Sequence, residues 1–198
     1  KKTLRASEQD REDIALARTT WRDEFAAATA ANPVFLDESA AKTNMTRLRG
    51  RAPRGERVHD RAPAGHWGTT TMIGSVRLDG TTACRTIQDA TDTDVFRAFV
   101  PAVLIPTLKP GEVVVADNLS PHKHPETIGL IEQAGASVRF LPPYSPDLNP
   151  IEKMWSKIKA ALRSAKARSQ AALNDAIAAA LASVTREDAL GMVCFMRL

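Results

Sequence analysis

Cysteine is nearly absent. Cys84 and Cys194 are the two the sequence contains, which excludes a disulfide framework. No CxxC pair offers a thiolate zinc site, and a reducing compartment is the simplest setting. Long hydrophobic runs are also missing. The longest, from Ala98 to Leu108, is broken by Pro101, Pro106 and Thr107 and is far too short to span a bilayer. The opening residues, KKTLRASEQDRED, lack the apolar segment of a signal peptide. No internal repeat is visible. These absences lead to the expectation of a soluble, cytoplasmic protein with no membrane partner.

What is present suits a packed domain. Apolar residues make up 43% and charged residues 25% of the 198 positions, which fits one large domain or one domain with a small appendage. The net charge is +4 and the pI about 9.3. The distribution of the charge says more than its sum. Residues 42–63 carry seven Lys/Arg against Glu56 and Asp60, and residues 153–168 carry six with no acid. Such blocks are either solvated faces or surfaces for a polyanion.

Along the chain, residues 8–30 read as a helix. Ser7 and Asp10 form a capping-box pattern, Ile14, Ala17, Trp21 and Phe25 recur at helical spacing, and Asn32-Pro33 stops it. Over 1–31 there are six basic and six acidic residues, a balance better suited to a linker helix than to a DNA reader. Val34 to Asp37 reads as a short buried strand ending in an acid. The stretch 42–63 reads as loop or irregular hairpin. Thr69–Leu78 and Thr81–Ile87 are β-rich and joined by Asp79-Gly80, a hairpin signal. Thr91–Leu108 reads as a helix capped by Thr91 and Asp94 and kinked at Pro101. Glu112–Ala116 is the next strand and leads into Asp117. Pro125–Ala134 reads as a helix stopped by Gly135, and Ser137–Leu141 as a strand. The proline-rich loop PPYSPDLNP then leads to helices at about 150–167, 170–184 and 186–195. The order implies a mixed α/β sheet.

Three acids invite attention: Asp37 and Asp117 at predicted strand ends, and Glu152 at a helix start. Two-metal phosphodiester chemistry calls for such a set. Mg²⁺ takes oxygen ligands, and two ions about 4 Å apart clamp the attacking and leaving oxygens of an in-line displacement. Each acid also has a plainer reading. An Asp after a strand commonly begins a turn. With Asn149 as N-cap and Pro150 as the first helical residue, Glu152 falls at a capping-box position, and spacing alone favours the cap. Glu38 points to the opposite face of its strand from Asp37 and is not counted as a ligand. On the helix after Pro150, Ile151, Trp155, Ile158 and Leu162 fall within about 60° of one another as a core face. Glu152, Lys159, Arg163 and Lys166 share another wedge, a stripe of roughly 21 Å. It is a solvated face or a surface tracking a nucleic-acid backbone. His122 and His124 have no third nitrogen or sulfur ligand nearby, and zinc is not expected.

Taken together, FLDES, GRAPRGE, VVVADNLSPHK and FLPPYSPDLNPIEKMWSKIK resemble the DDE endonuclease domain of mariner-superfamily transposases, especially the bacterial insertion-sequence branch. The resemblance runs from about residue 30 to 185. Asp117 and Glu152 are separated by 34 residues, a spacing of one main branch. The resemblance implies an α/β, ribonuclease-H-like fold with a mixed five-stranded sheet flanked by helices, spanning 31–198 after a linker helix over 1–30. It implies a catalytic, metal-binding triad of Asp37, Asp117 and Glu152. The cofactor would be Mg²⁺, with Mn²⁺ as substitute and two ions in all. The implied activity is hydrolytic cleavage of DNA at transposon ends and attack of the freed 3′-OH on target DNA. Asn118 and His122 also match family positions near the site. The implied partner is DNA, with a homodimer assembled on it, in the cytoplasm at the nucleoid. Arg47, Arg49, Arg51 and Arg54 are the candidates for phosphate contact, with Lys159, Arg163 and Lys166 on the stripe. Tyr144 is expected to pack the proline-rich loop, with DNA contact as the alternative. Family members carry helix-turn-helix modules before this domain, and 30 residues cannot hold them. The chain is therefore expected to be a fragment, a split-gene product or a relic that binds DNA without cutting it. A nuclease of the same fold that never joins strands is a third possibility.

Overall fold

The computed structural model describes residues 6–28, 32–65, 67–88 and 93–194. Five strands form one sheet: β1 (Pro33–Lys42), β2 (Thr69–Arg77), β3 (Thr82–Gln88), β4 (Val113–Ala116) and β5 (Ser137–Phe140). Their order is β3-β2-β1-β4-β5. β1, β2 and β3 are antiparallel neighbours, whereas β4 and β5 run parallel to β1. Gly80 stands at φ 86° in the β2–β3 turn, a conformation that costs other residues dearly.

The sheet has an apolar layer on each face, because alternate strand residues point opposite ways. On one face Phe35, Met72, Val76 and Val115 pack against Trp21, Ile151, Met154, Trp155, Ile158, Leu173, Ile177 and Met192. These come from α1 (Glu12–Ala28), α4 (Ile151–Ala165), α5 (Gln170–Ala182) and α6 (Arg186–Cys194). On the other face Val34, Leu36, Ile73 and Val114 meet Phe96, Phe99, Leu104 and Ile131, from α2 (Thr93–Phe99), the turns after it and α3 (Pro125–Gln133). Trp155 is core, as the periodicity implies, with 1% of its surface exposed.

Several boundaries differ from the sequence reading. The first helix is split into a 3-10 turn over Ser7–Asp10 and α1. The Ser7/Asp10 capping box does not form, since no side chain caps that turn. Residues 29–31 and Thr91 lie outside the described residues. β1 runs on to Lys42 because β2 pairs with it along its whole length, so Asp37 is inside a strand rather than at its end. The helix expected to kink at Pro101 instead changes type. After α2 come a π turn over Val100–Leu104 and a 3-10 turn over Ile105–Thr107. Pro101 and Pro106 have no N–H to continue an α ladder, and the Ile105 N–H reaches back five residues to the Val100 carbonyl.

Candidate active site

The register explains where the two aspartates go. β1 and β4 pair in parallel as far as Phe35 opposite Val115, and then part. Asp37 and Asp117 each lie two residues beyond this last β1–β4 pair. The two-residue period of the strand therefore directs Asp37 to the face of Phe35 and Val115, the face that α4 covers. Glu152 is exposed at the start of α4, while Ile151, Met154 and Trp155 are buried in the sheet's apolar layer. The three acids line one cleft of about 420 Å³, together with Asn118, Tyr144 and Asn149.

The capping role open to Glu152 is not taken up. Asn149 Oδ1 is buried without a hydrogen-bond partner, and the Asn149 N–H that Glu152 would take is donated to the Pro146 carbonyl at 3.1 Å. The backbone is nonetheless set as the sequence suggests: Asn149 is extended, Pro150 has helical φ and ψ, and the Glu152 N–H donates to the Asn149 carbonyl at 3.2 Å.

Electrostatics set the three acids apart. Burial pushes the Asp37 carboxyl up to about 7, and the nearby charges of Glu152, Glu38 and Asp117 push it the same way against the Glu38 N–H. Burial also works against the charge on Asp117. The His122 ring and the Leu119 N–H nevertheless hold its carboxyl below the ordinary value. The Leu119 N–H donates to Asp117 Oδ1 at 3.0 Å. His122 Nδ1 stands 2.6 Å from that same oxygen. Burial opposes the charge on His122, yet Asp117 and Glu38 together raise it to about 9.

Among the described residues, no group of three or more His, Cys, Asp or Glu is arranged to hold a metal ion as it stands. The donor chemistry nevertheless fits Mg²⁺. The cleft's ionisable ligands are carboxylates, hard oxygen donors. A carboxyl kept protonated to near neutrality by burial, and further by its neighbours' charges, is what a shared cation relieves.

The rest of the cleft is fixed by the proline-rich loop. Asn118 Nδ2 donates to the Leu141 carbonyl and ties the turn after β4 to that loop. Tyr144 has φ 55° and its side chain is not packed away but 49% exposed at the cleft, contrary to the packing role expected of it. α1 grips the loop from outside. Arg18, buried on the inner face of α1, donates to Ser145 Oγ at 2.7 Å and to both Asp147 oxygens at 3.0 and 2.6 Å. Gln9 donates to the Tyr144 carbonyl at 2.6 Å.

The basic residues are more scattered than expected. Arg49, Arg51 and Arg54 are exposed, and Arg47 Nε donates to Ser164 Oγ at 3.2 Å. Lys159 and Arg163 are half-buried on α4. Lys166 leaves the stripe: the helix ends at Ala165, Lys166 turns left-handed at φ 50°, and its ammonium is held by Asp60 at 2.7 and 2.8 Å. The contacts of Glu38 with His122 and of Arg18 with Ser145 and Asp147 escaped the sequence reading. Each depends on a partner distant in sequence, and only Arg18 left a trace, as a charge four residues from Ile14 on the apolar face of its helix.

The fold is ribonuclease-H-like. Residues 32–174 match the family described as DDE superfamily endonuclease, and the chain belongs to that family. Among curated proteins no relative matches. Among solved structures, the Mos1 transposase paired-end complex with left transposon end superposes with a TM-score of 0.73 at 14% identity, covering 98% of this chain and 62% of that one. The mariner Mos1 paired end complex with Mg gives 0.72 at 13% identity, covering 100% and 64%. The catalytic domain of Mos1 mariner transposase gives 0.63 at 12% identity, covering 97% and 91%. The chain thus spans about 62% of the length of the full Mos1 chain in the first of these. It has the fold of a DDE-type transposase catalytic domain. Among the described residues no helix is long and apolar enough to cross a membrane.

Proposed function

We propose that this chain is the catalytic domain of a transposase from the bacterial insertion-sequence branch related to mariner. It cleaves DNA at transposon ends and joins the freed 3′-OH to target DNA. The observation that carries the reading is the shared cleft of Asp37, Asp117 and Glu152, with Asp37 pushed up to about 7 by burial and by the neighbouring acids. These three residues hold two divalent cations, Mg²⁺ or Mn²⁺. When bound, such ions stabilise charge on the attacking and leaving oxygens of an in-line displacement. The chain's own groups do the rest. Asp37 gives up its proton on binding, Asp117 is kept ionised by His122, and Asn118 holds the loop that carries Tyr144. Tyr144 and the exposed arginines 49, 51 and 54 meet DNA, with Lys159 and Arg163 contacting phosphates along α4. Residues 1–30 serve as a linker helix and 31–198 as the catalytic unit, which pairs with a second copy on DNA, in the cytoplasm at the nucleoid.

The relic reading keeps one observation in its favour, the lack of a ready metal-holding group among the described residues. Asp117→Asn separates the two. With pre-cut ends and Mg²⁺, the variant is expected to retain DNA binding and lose strand transfer altogether. Equal behaviour of the two chains in every DNA assay would sink the catalytic reading. Cleavage without any joined product would leave a plain nuclease. Anomalous diffraction from a Mn²⁺-soaked crystal adds a direct check: a peak between Asp37 and Asp117, facing Glu152, is expected.

A further inference from the structure

A second acid reaches Asp117 from behind the sheet. Glu38 follows Asp37 in β1 and so points to the opposite face, toward α2 and α3. His122 lies on that face, in the 3-10 turn Ser120–Lys123, with its ring against Phe96 at a centroid distance of 4.5 Å. Its side chain is fully buried. Nε2 is 3.0 Å from Glu38 Oε1, and Nδ1 is 2.6 Å from Asp117 Oδ1. We propose that Glu38 is a positioning residue for the Asp117 carboxylate, acting through His122. This rests on the functional reading above.

Three features carry it. First, the ring bridges two acids that belong to different strands and different faces. It can do so because β4 stops at Ala116 while β1 continues, leaving a gap at the edge of β1 that the ring spans. Second, Glu38 Oε2 is buried without a hydrogen-bond partner. An unpaired buried acceptor is a cost to folding, set against the one contact that Oε1 makes with the ring. Third, the contacts on Asp117 are lopsided. His122 and the Leu119 N–H both fall on Oδ1, and among the described residues no such contact falls on Oδ2. Glu38 fixes the plane of the ring, the ring fixes Oδ1, and one oxygen of Asp117 is left for a cation. Partners outside the ligand shell commonly orient metal ligands in this way.

The test is Mn²⁺ binding to the whole 198-residue chain by titration calorimetry, with thermal midpoints of the metal-free proteins beside it. Wild type, Glu38→Ala, Glu38→Gln, His122→Ala and the Glu38→Ala/His122→Ala pair are compared. Glu38→Ala is expected to weaken Mn²⁺ about tenfold and, by breaking a buried pair, to lower the metal-free midpoint as well. Glu38→Gln, whose amide oxygen still accepts from Nε2–H, is expected to recover part of the loss. In the His122→Ala background, removing Glu38 is expected to cost nothing further, since the two act as one unit. An unchanged Mn²⁺ affinity in Glu38→Ala overturns the proposal, as does a full loss that persists without His122. If Glu38→Ala does not fold, Glu38→Gln decides: affinity between wild type and His122→Ala supports it, and affinity equal to wild type overturns it. Wild type that binds no Mn²⁺ removes the metal site itself, an outcome distinct from wild-type binding that ignores Glu38.

Discussion

Replacing Asp37 by asparagine is expected to stabilise the metal-free chain above neutral pH while destroying its activity. The sign follows from linkage. The Asp37 carboxyl ordinarily titrates at 3.8 and stands at about 7 in the fold. Between those values the native state holds a proton that the unfolded state has lost, so stability falls as pH rises through the window. Below 3.8 both states are protonated and nothing is lost. Above about 7 the whole cost is present, on the order of 4 kcal/mol at ~1.4 kcal/mol per tenfold in proton affinity. Asparagine mimics the protonated carboxyl and escapes the cost. Urea unfolding of both chains at about pH 4, 6 and 8 checks this, because pH effects from unrelated groups cancel in the difference. The gap should be near zero in acid and open to roughly 2–4 kcal/mol at about pH 8. A gap that stays flat, or a variant less stable than wild type at about pH 8, would refute the electrostatic account of the cleft. Saturating Mg²⁺ should close the gap by stabilising wild type alone, since a ligand for the native state shifts unfolding by mass action.

Two further substitutions probe how the cleft is built. Glu152→Gln is expected to change stability by less than about 0.5 kcal/mol, as at other exposed positions, yet abolish cleavage; a loss near 1 kcal/mol in urea unfolding would return it to a capping role. Gly74→Ala puts a methyl 3.0 Å from Trp155 Cη2 and 3.2 Å from the Ala83 carbonyl. It should cost about 1–3 kcal/mol by overpacking and, by lifting α4 off β2, reduce activity more than stability; unfolding midpoints and turnover compared on one sample decide this.

Much of this was legible because it is periodic. The alternation through VFLD and VVVAD, and the 3.6-residue repeat of Ile151, Trp155, Ile158 and Leu162, are local signals that the sheet and α4 obey. The resemblance carried by PPYSPDLNPIE supplied the topology that periodicity cannot. What escaped depends on contacts between distant residues. Strand β1 overran Asp37 because its length is set by β2, not by its own residues. Lys166 left the stripe because helix geometry stops at Ala165, and an acid from the basic arm, Asp60, holds its side chain. The parity that turns Glu38 away from Asp37 was read correctly. Nothing in the sequence said that a histidine waits on the other side.

The matched positions of Asp37 and Asp117, each two residues past the last pair of adjacent parallel strands, have a further consequence. Neighbouring strands lie about 4.8 Å apart, a length close to the roughly 4 Å between paired metal ions. The sheet therefore serves as a ruler, and its divisions are coarse. A one-residue slip of either strand would not widen the gap slightly; it would send one carboxylate through to the opposite face. Insertions in β1 ahead of Asp37, or near the end of β4, should thus leave chains that are either fully competent or wholly silent, with no graded series between them.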